Sequence, residues 1–220
     1  MDGRLTRASL LRAAGAAAAA LGLGRLGGHD AFAGDSVSCV LTPEQTEGPY
    51  YIAKEKLRRN ITDGRPGTPL TLRLAVVDAK TCRPIKGAAV DIWHCDASGV
   101  YSGFGAGRSS RTFMRGVQRT NAQGVATFRT VYPGWYQGRT VHIHVKVHIR
   151  GNVVHTGQLY FPDRMTDAAY RKAPYTNRPN RDVRNVDDMV FRNGGKRSLL
   201  SVRRNDAGYL GSIRMGVRRS

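Results

Sequence analysis

Short runs of alternating hydrophobic and polar residues dominate the chain between residues 70 and 161. Successive side chains of a β-strand point to opposite faces, so this period of two predicts strands, each ended by Gly, Pro or Asn. The predicted strands cover residues 70–78, 88–93, 124–131, 141–150 and 153–161. Helical periodicity is scarce. The pattern therefore predicts an all-β fold, with an antiparallel β-sandwich core, long loops and little helix.

The remaining pattern adds few elements. Gly151 and Asn152 separate two predicted strands, and a two-residue connection of this kind predicts a hairpin. Beyond residue 161 the pattern loosens, and it predicts at most a short helix over 166–172 and a last strand over 209–217. No internal repeat or biased linker marks a second domain. A chain of 220 residues is long enough for one buried core, so we expect a single domain over residues 34–220.

Residues 1–33 have the composition of an export signal. Three arginines precede an Ala/Leu-rich run over 13–23, and Ala31-Phe32-Ala33 offers a small-x-small cleavage site. The run is about half the length that crosses a membrane, about 20 residues, so we expect a cleaved signal and no stable membrane anchor. The protein is therefore expected outside the cytoplasm. Residues 6–12 resemble a twin-arginine signal, but Ala8 replaces the second arginine, which leaves the export route open.

Charge and cysteine content narrow the classes of partner and site. The formal net charge is +19, and it falls to +17 without the predicted signal. This basic field favours anionic partners such as phenolates, but no basic stripe interleaved with aromatics indicates nucleic acid, which is not an expected partner. Cys39, Cys82 and Cys95 predict one disulfide and one free thiol, with the pairing open. None forms the C-x-x-C pair typical of thiolate zinc sites.

His142 and His144 are the strongest candidates for metal ligands. They lie two positions apart on a predicted strand, so their side chains project to one face about 7 Å apart and can converge on one ion. The opposite face carries Val and Ile and belongs in the core. An alternative interpretation is that both histidines face solvent on a half-buried sheet.

Tyrosines near the histidines favour a hard metal ion. Tyr132 and Tyr136 lie in the loop before the histidines, with nothing in the local pattern to choose between them, and Tyr101 follows Gly99 in a second Gly-x-Tyr. Iron(III) prefers anionic oxygen, and a bound cation can ionise a phenol well below its free pKa of about 10. Phenols and imidazoles together therefore predict an iron(III) site.

Four motifs in order carry a resemblance to a known family. They are TPEQTEGPYY at 42–51, GAAVDIWH at 87–94 with GVY at 99–101, PGWY at 133–136 with RTVHIH at 139–144, and QLYF at 158–161. Together they resemble the intradiol ring-cleavage dioxygenases, the group of protocatechuate 3,4-, catechol 1,2- and hydroxyquinol 1,2-dioxygenase. The resemblance runs from about residue 41 to residue 161.

The resemblance implies a complete set of site residues. One non-haem Fe(III) ion per chain would be held by Tyr101, Tyr136, His142 and His144. Tyr136, rather than Tyr132, would be the ligand that substrate displaces and that takes a substrate proton. Arg139 and Gln158 would have catalytic and substrate-binding roles beside the ring, although an arginine is also a common surface ion-pair residue.

Other aromatic and histidine residues have less specific patterns. Tyr50 and Trp135 are predicted to line the substrate pocket together with Tyr51, and the alternative for each is a place in the core. His94 and His148 are interpreted as structural or surface histidines.

The function implied is cleavage of a small aromatic diol by O₂, between its two hydroxylated carbons, to a muconate-type diacid. Which catechol is used stays open, since only five residues separate Tyr136 from His142, fewer than in better-known members. An oligomer is compatible with the sequence. The main alternative is a secreted, non-catalytic β-sandwich binding module. An iron(II) oxygenase would need a carboxylate at suitable spacing from the histidines, which the sequence lacks.

Overall fold

A computed structural model describes residues 40–53, 55–107 and 112–219, which all belong to one compact unit. The predicted export signal and Cys39 lie outside these residues. Within them, no helix is long and apolar enough to cross a membrane. Cys82 is disulfide-bonded and Cys95 is a buried free thiol.

In the described part of the chain, eight strands form two four-stranded sheets that share one hydrophobic core. The strands are β1 (Pro69–Asp78), β2 (Ala89–Trp93), β3 (Arg115–Arg119), β4 (Val125–Val131), β5 (His142–Ile149), β6 (Asn152–Tyr160), β7 (Ser201–Asn205) and β8 (Gly208–Val217). Their order is β4-β1-β8-β7 in one sheet and β3-β2-β5-β6 in the other. The all-β sandwich prediction is confirmed.

Helices are few and short among the described residues. The two α-helices are α1 (Asp163–Ala169) and α2 (Met189–Arg192), and 3₁₀ turns cover Gly105–Gly107, Tyr175–Asn177, Asn185–Asp187 and Gly195–Ser198. The predicted helix over 166–172 thus begins and ends three residues earlier in the structure.

The core lies where the alternating pattern places it. Leu70, Leu72 and Leu74 of β1 are at most 1% exposed, and Ile143 and Val145 of β5 are fully buried in the same cluster. Burial of this apolar area is the main favourable term for folding, at about 25 cal/mol per Å².

Three features differ from the sequence prediction. β8 runs parallel to β1, with Leu70 opposite Tyr209, so the sandwich is not wholly antiparallel. Two strands were not predicted, β3 and β7, because RGVQR and SVRRN each contain only one large hydrophobic residue. The hairpin between β5 and β6 turns at Arg150-Gly151 rather than at Gly151-Asn152. Both turn residues have positive φ, 52° and 88°, as type I′ turns require.

Both faces of β5 are buried, which the strand pattern alone does not reveal. The polar face carries His142, His144 and Lys146, and residues 46–48 lie across it. Lys146 forms an ion pair with Glu47 of that segment, and the Gln158 amide of β6 donates a 3.0 Å hydrogen bond to the Thr46 carbonyl. The interpretation that the histidines face solvent is therefore wrong.

Candidate metal centre

Tyr101, Tyr136, His142 and His144 come together on the polar face of the second sheet. β5 supplies both histidines, Tyr101 follows β2, and Tyr136 lies between β4 and β5. The Tyr136 hydroxyl is 3.1 Å from His142 Nε2, which is 3.1 Å from His144 Nε2. The Tyr101 ring centroid lies 5.6 Å from that of Tyr136 and 6.2 Å from that of His144. Four side chains predicted as ligands thus share one small volume.

The donor atoms of this cluster fit a cation. His142 Nδ1 lies 2.7 Å from the Thr140 carbonyl, which can only accept, so Nδ1 carries the proton and Nε2 presents a lone pair. The Tyr101 hydroxyl is buried and has no hydrogen-bond partner among the described residues. Two imidazole nitrogens and two phenol oxygens that converge in this way form a nitrogen and oxygen donor set suited to a transition-metal ion.

Burial also sets the protonation states in this cluster. Desolvation lowers the pKa of His142 to about 3 and holds the pKa of His144 well below its usual value, so both rings are neutral and able to act as ligands. Desolvation raises the pKa of Tyr136 to about 12 and also raises that of Tyr101. The phenols therefore stay protonated unless a cation stabilises the phenolates.

Carboxylates do not complete a site at the histidines. Within residues 40–53, 55–107 and 112–219, no three His, Cys, Asp or Glu side chains are grouped so that they could hold a metal ion. A facial pair of histidines with one carboxylate, as in iron(II) oxygenases, is therefore absent from this part of the chain. Among the described residues, Tyr101 and Tyr136 are phenol side chains that lie beside His142 and His144.

Tyr132 and Tyr136 occupy different environments although they lie in one loop. Tyr132 is fully buried in the main core, where its hydroxyl is 2.9 Å from Thr166 Oγ1 and its ring packs on Phe161. Tyr136 packs with Tyr101 instead. The structure therefore separates two candidates that the local sequence does not.

A cleft of about 230 Å³ opens beside the two phenols. It is lined by Tyr50, Gly99, Val100, Tyr101, Phe104, Gly105, Ala106 and Tyr136. Tyr50 stacks on Tyr101 with ring centroids 4.3 Å apart. A dry cavity of about 150 Å³ suffices for benzene, so this cleft is large enough for one substituted aromatic ring.

Two other predicted pocket residues are not among those that line the cleft. Trp135 packs against the main core and lies under Arg178, with its indole N–H 3.2 Å from the Pro179 carbonyl. Tyr51 donates its hydroxyl to Asp91 at 3.2 Å. The structure thus gives Tyr50 a place in the cleft and gives Trp135 and Tyr51 packing and hydrogen-bonding roles.

Arg139 and Gln158 contact each other beside the cluster. Arg139 Nη2 donates to Gln158 Oε1 at 2.6 Å, and Arg139 Nε donates to Asp188 Oδ2 at 2.8 Å. The Tyr160 hydroxyl also donates to Gln158 Oε1, at 3.1 Å. The two residues predicted to act on the ring therefore form one hydrogen-bonded unit.

Comparisons with known proteins indicate the family of the chain. A family model described as Dioxygenase matches residues 46–170. The structure of an intradiol ring-cleavage dioxygenase from Tetranychus urticae is 39% identical, covers 82% of this chain and 95% of that chain, and superposes with a TM-score of 0.78. The chain belongs to the intradiol ring-cleavage dioxygenase family.

Other relatives of this intradiol family member are more distant or align only in part. The dioxygenase domain of a carbohydrate-binding protein fusion from Streptomyces sp. SirexAA-E is 34% identical over 82% of this chain and 99% of that chain, with a TM-score of 0.64. Catechol 1,2-dioxygenase 1 of Acinetobacter lwoffii is 33% identical over 101 residues, which are 43% of this chain and 32% of that protein. The chain thus spans about a third of this curated relative.

Several residues around the centre of this family member were not singled out by sequence reasoning. Trp93 stacks on His144, with ring centroids 4.9 Å apart and planes 5° apart. Arg115 is fully buried and donates to the Tyr50 carbonyl at 2.7 Å. Asp188 is buried beside Arg139. Only Trp93 carried a sequence signal, since it lies in the GAAVDIWH motif and on the same predicted strand as other core residues.

Gly99 is expected to be required for the position of Tyr101. Its φ is +83°, and a Cβ there would lie 2.2 Å from the Trp135 carbonyl oxygen. Gly99→Ala should therefore lower the free energy of unfolding by clearly more than the about 1–2 kcal/mol that a left-handed alanine costs. Gly87→Ala is the matched control, because Gly87 has φ +78° and open space around its Cβ position. Equal losses in urea unfolding would contradict the close approach.

A second buried polar group lies on the same sheet face. Asp91 of β2 is opposite Lys146 and accepts the Tyr51 hydroxyl, with Glu55 and Arg115 close by. Burial, reinforced by the charge of Glu55, raises the pKa of Asp91 to about 7, although Tyr51, Lys146 and Arg115 act in the opposite direction. The folded chain therefore keeps the Asp91 proton to a higher pH than the unfolded chain does.

This raised pKa predicts a pH-dependent stability. The contribution of Asp91 is full below about pH 4, where folded and unfolded chains are both protonated, and it declines as pH rises to about 7. A shift of this size is at most about 4 kcal/mol. Asp91→Asn should remove that decline, measured as the free energy of unfolding between pH 4 and 8. Parallel curves for the wild type and Asp91→Asn would refute the assignment.

Proposed function

We propose that this intradiol family member is an Fe(III)-dependent dioxygenase. It cleaves small aromatic diols of the catechol type with O₂, between the two hydroxylated carbons, and releases muconate-type diacids. The observation that carries the proposal is the convergence of Tyr101, Tyr136, His142 and His144 beside a cleft of the size of one ring. A non-catalytic binding module would have no use for this donor set.

The four side chains suit a ferric ion in number, charge and softness. Two phenolates would offset two of the three positive charges, and two neutral imidazoles add ligands without charge. A ferric ion held there would supply Lewis acidity towards the two oxygens of a chelating diol. Buried, low-pKa histidines such as His142 keep their lone pairs available across the working pH range.

Residues of the cleft and residues beside the four-residue cluster have separate tasks. Tyr136 lines the cleft, and its Oη, as a phenolate, would be the base that takes up a proton from the bound diol. Arg139 stabilises negative charge that gathers on the bound ring, and its hydrogen bond to Gln158 keeps the guanidinium in place. Tyr50 and Phe104 form apolar walls that hold the ring and exclude water.

Iron binding and oxygen uptake test the proposal together. Purified chain is titrated with iron, and oxygen consumption is then followed with catechol, protocatechuate and hydroxyquinol. We expect one iron per chain and uptake with at least one diol, with a diacid identified by mass spectrometry. The panel also determines which ring substituent the cleft accepts. Iron-free protein without oxygen uptake on any diol would favour the binding module.

We also propose that the mature protein acts outside the cytoplasm. The support is the leader-like composition of residues 1–33, with a small-x-small site at Ala31-Phe32-Ala33. Expression of the full chain in an exporting bacterial host should release a product that begins at Gly34, as read by N-terminal sequencing. Retention of the uncleaved chain in the cytoplasm would oppose this localisation.

A further inference from the structure

Asp188 is a buried carboxylate that lies outside the range matched by the family model, residues 46–170. Its side chain is 0% exposed. Oδ1 accepts the Phe191 backbone N–H at 2.8 Å, which caps the first turn of α2. Oδ2 accepts both Arg139 Nε at 2.8 Å and the Thr140 backbone N–H at 2.9 Å. The carboxylate thus joins α2 to the segment that enters β5.

The cap of α2 alone does not explain why a carboxylate occupies position 188. A helix of four residues needs one side-chain oxygen as its cap, and Ser, Thr or Asn supply that oxygen equally well. Asp188 uses its second oxygen on a charged partner, and an aspartate opposite an arginine makes the stronger, charge-assisted kind of hydrogen bond. The second oxygen therefore points to a role that concerns Arg139.

The contacts of Arg139 fix the plane of its guanidinium. Nε is bound by Asp188, and Nη2 is bound by Gln158 Oε1 at 2.6 Å. Because the guanidinium is rigid and planar, two contacts through different nitrogens determine its orientation. Nη1 makes no hydrogen bond to the residues that the structure describes. An arginine ordered in advance loses little freedom when a ligand charge appears beside it.

We infer that Asp188 is a positioning residue for Arg139. It holds the guanidinium in the orientation in which the positive charge meets the negative charge of the bound diol. Asp188 itself touches no reacting atom. This inference rests on the proposed dioxygenase function, since it needs a ring that becomes negatively charged beside Arg139.

A double-mutant cycle tests the inference through kcat/KM. Asp188→Asn keeps the shape of the side chain but removes its charge, and we expect a loss of about 10- to 100-fold, as for other residues that orient a functional group. In an Arg139→Met background the same substitution should change kcat/KM by less than about twofold, because no guanidinium is left to position. Equal losses in both backgrounds would mean that Asp188 acts through the fold, and would overturn the inference.

A second readout does not depend on turnover. In the ¹⁵N spectrum of the purified chain without iron, the Arg139 Nε–H should give a resolved signal that exchanges slowly with water. Asp188→Asn should broaden that signal or speed its exchange, while the melting temperature reports any loss of the α2 cap separately. An unchanged Arg139 signal in Asp188→Asn would overturn the inference whatever the activity.

A matched control variant tests whether the loss of any ion pair on this chain lowers kcat/KM. Asp167 of α1 pairs with Arg181 and Arg184 on a more exposed surface, so Asp167→Asn should leave kcat/KM within about twofold. If the wild type consumes no diol, the proposed function and this inference fail together. If it does, and the cycle gives equal losses in both backgrounds, only the inference fails.

Discussion

Replacement of His144 by asparagine should lower the affinity of the chain for iron(III) by more than about 100-fold. Loss of a residue that merely orients a ligand costs about 10- to 100-fold, and loss of the ligand itself should cost more. His144 Nε2 lies 3.1 Å from His142 Nε2, so the substitution removes one of the two imidazole donors of the cluster. Iron content after dialysis against a graded chelator series measures the change.

The matched control lies on the same strand. His148→Asn removes a half-buried histidine four residues along β5 that is no part of the cluster, so iron affinity should stay within about twofold of the wild type. Thermal melting of both variants without iron separates a folding defect from a binding defect, since His144 also stacks on Trp93. Similar iron losses in both variants would contradict a metal centre at His144.

Tyr101→Phe is expected to have the second large effect. The substitution removes only the hydroxyl, which is buried without a partner, so the fold should tolerate it. If Tyr101 Oη is a ligand, the iron-loaded variant should lose the share of the visible absorption that the Tyr101 phenolate bound to iron(III) contributes. Oxygen uptake with a catechol should fall by more than about 100-fold. Absorption spectra and an oxygen electrode measure the two effects.

Two further tyrosine variants test whether the effect is specific to the phenols of the cluster. Tyr136→Phe should also lower oxygen uptake and weaken the visible absorption, because it removes the second phenol together with the proposed base. Tyr132→Phe is the control, since the Tyr132 hydroxyl bonds Thr166 in the main core. It should cost about 1 kcal/mol of stability and leave colour and activity intact. Full colour in both Tyr101→Phe and Tyr136→Phe would rule out phenolate ligation.

The local alternation of hydrophobic and polar residues was enough to predict most strands of the sandwich. Alternation along residues 70–78 and 141–150 predicted β1 and β5 to within one or two residues, and it assigned His142 and His144 to the same face. Strand alternation is a property of the backbone, so it can be read without knowledge of the neighbours. The pattern did not predict β3 and β7, because their places in the sheets depend on pairing with β2 and β8 rather than on their own hydrophobicity.

The sandwich class, the histidine pair and the set of four candidate ligands could be predicted from the sequence, because each depends on spacing within a strand or on motifs in order. The packing of distant segments settled other points: residues 46–48 bury the polar face of β5, Tyr50 rather than Trp135 lines the cleft, and Asp188 holds Arg139. These contacts join residues far apart along the chain, 49 positions in the last case. Such contacts depend on how whole elements pack, and no local periodicity encodes that packing.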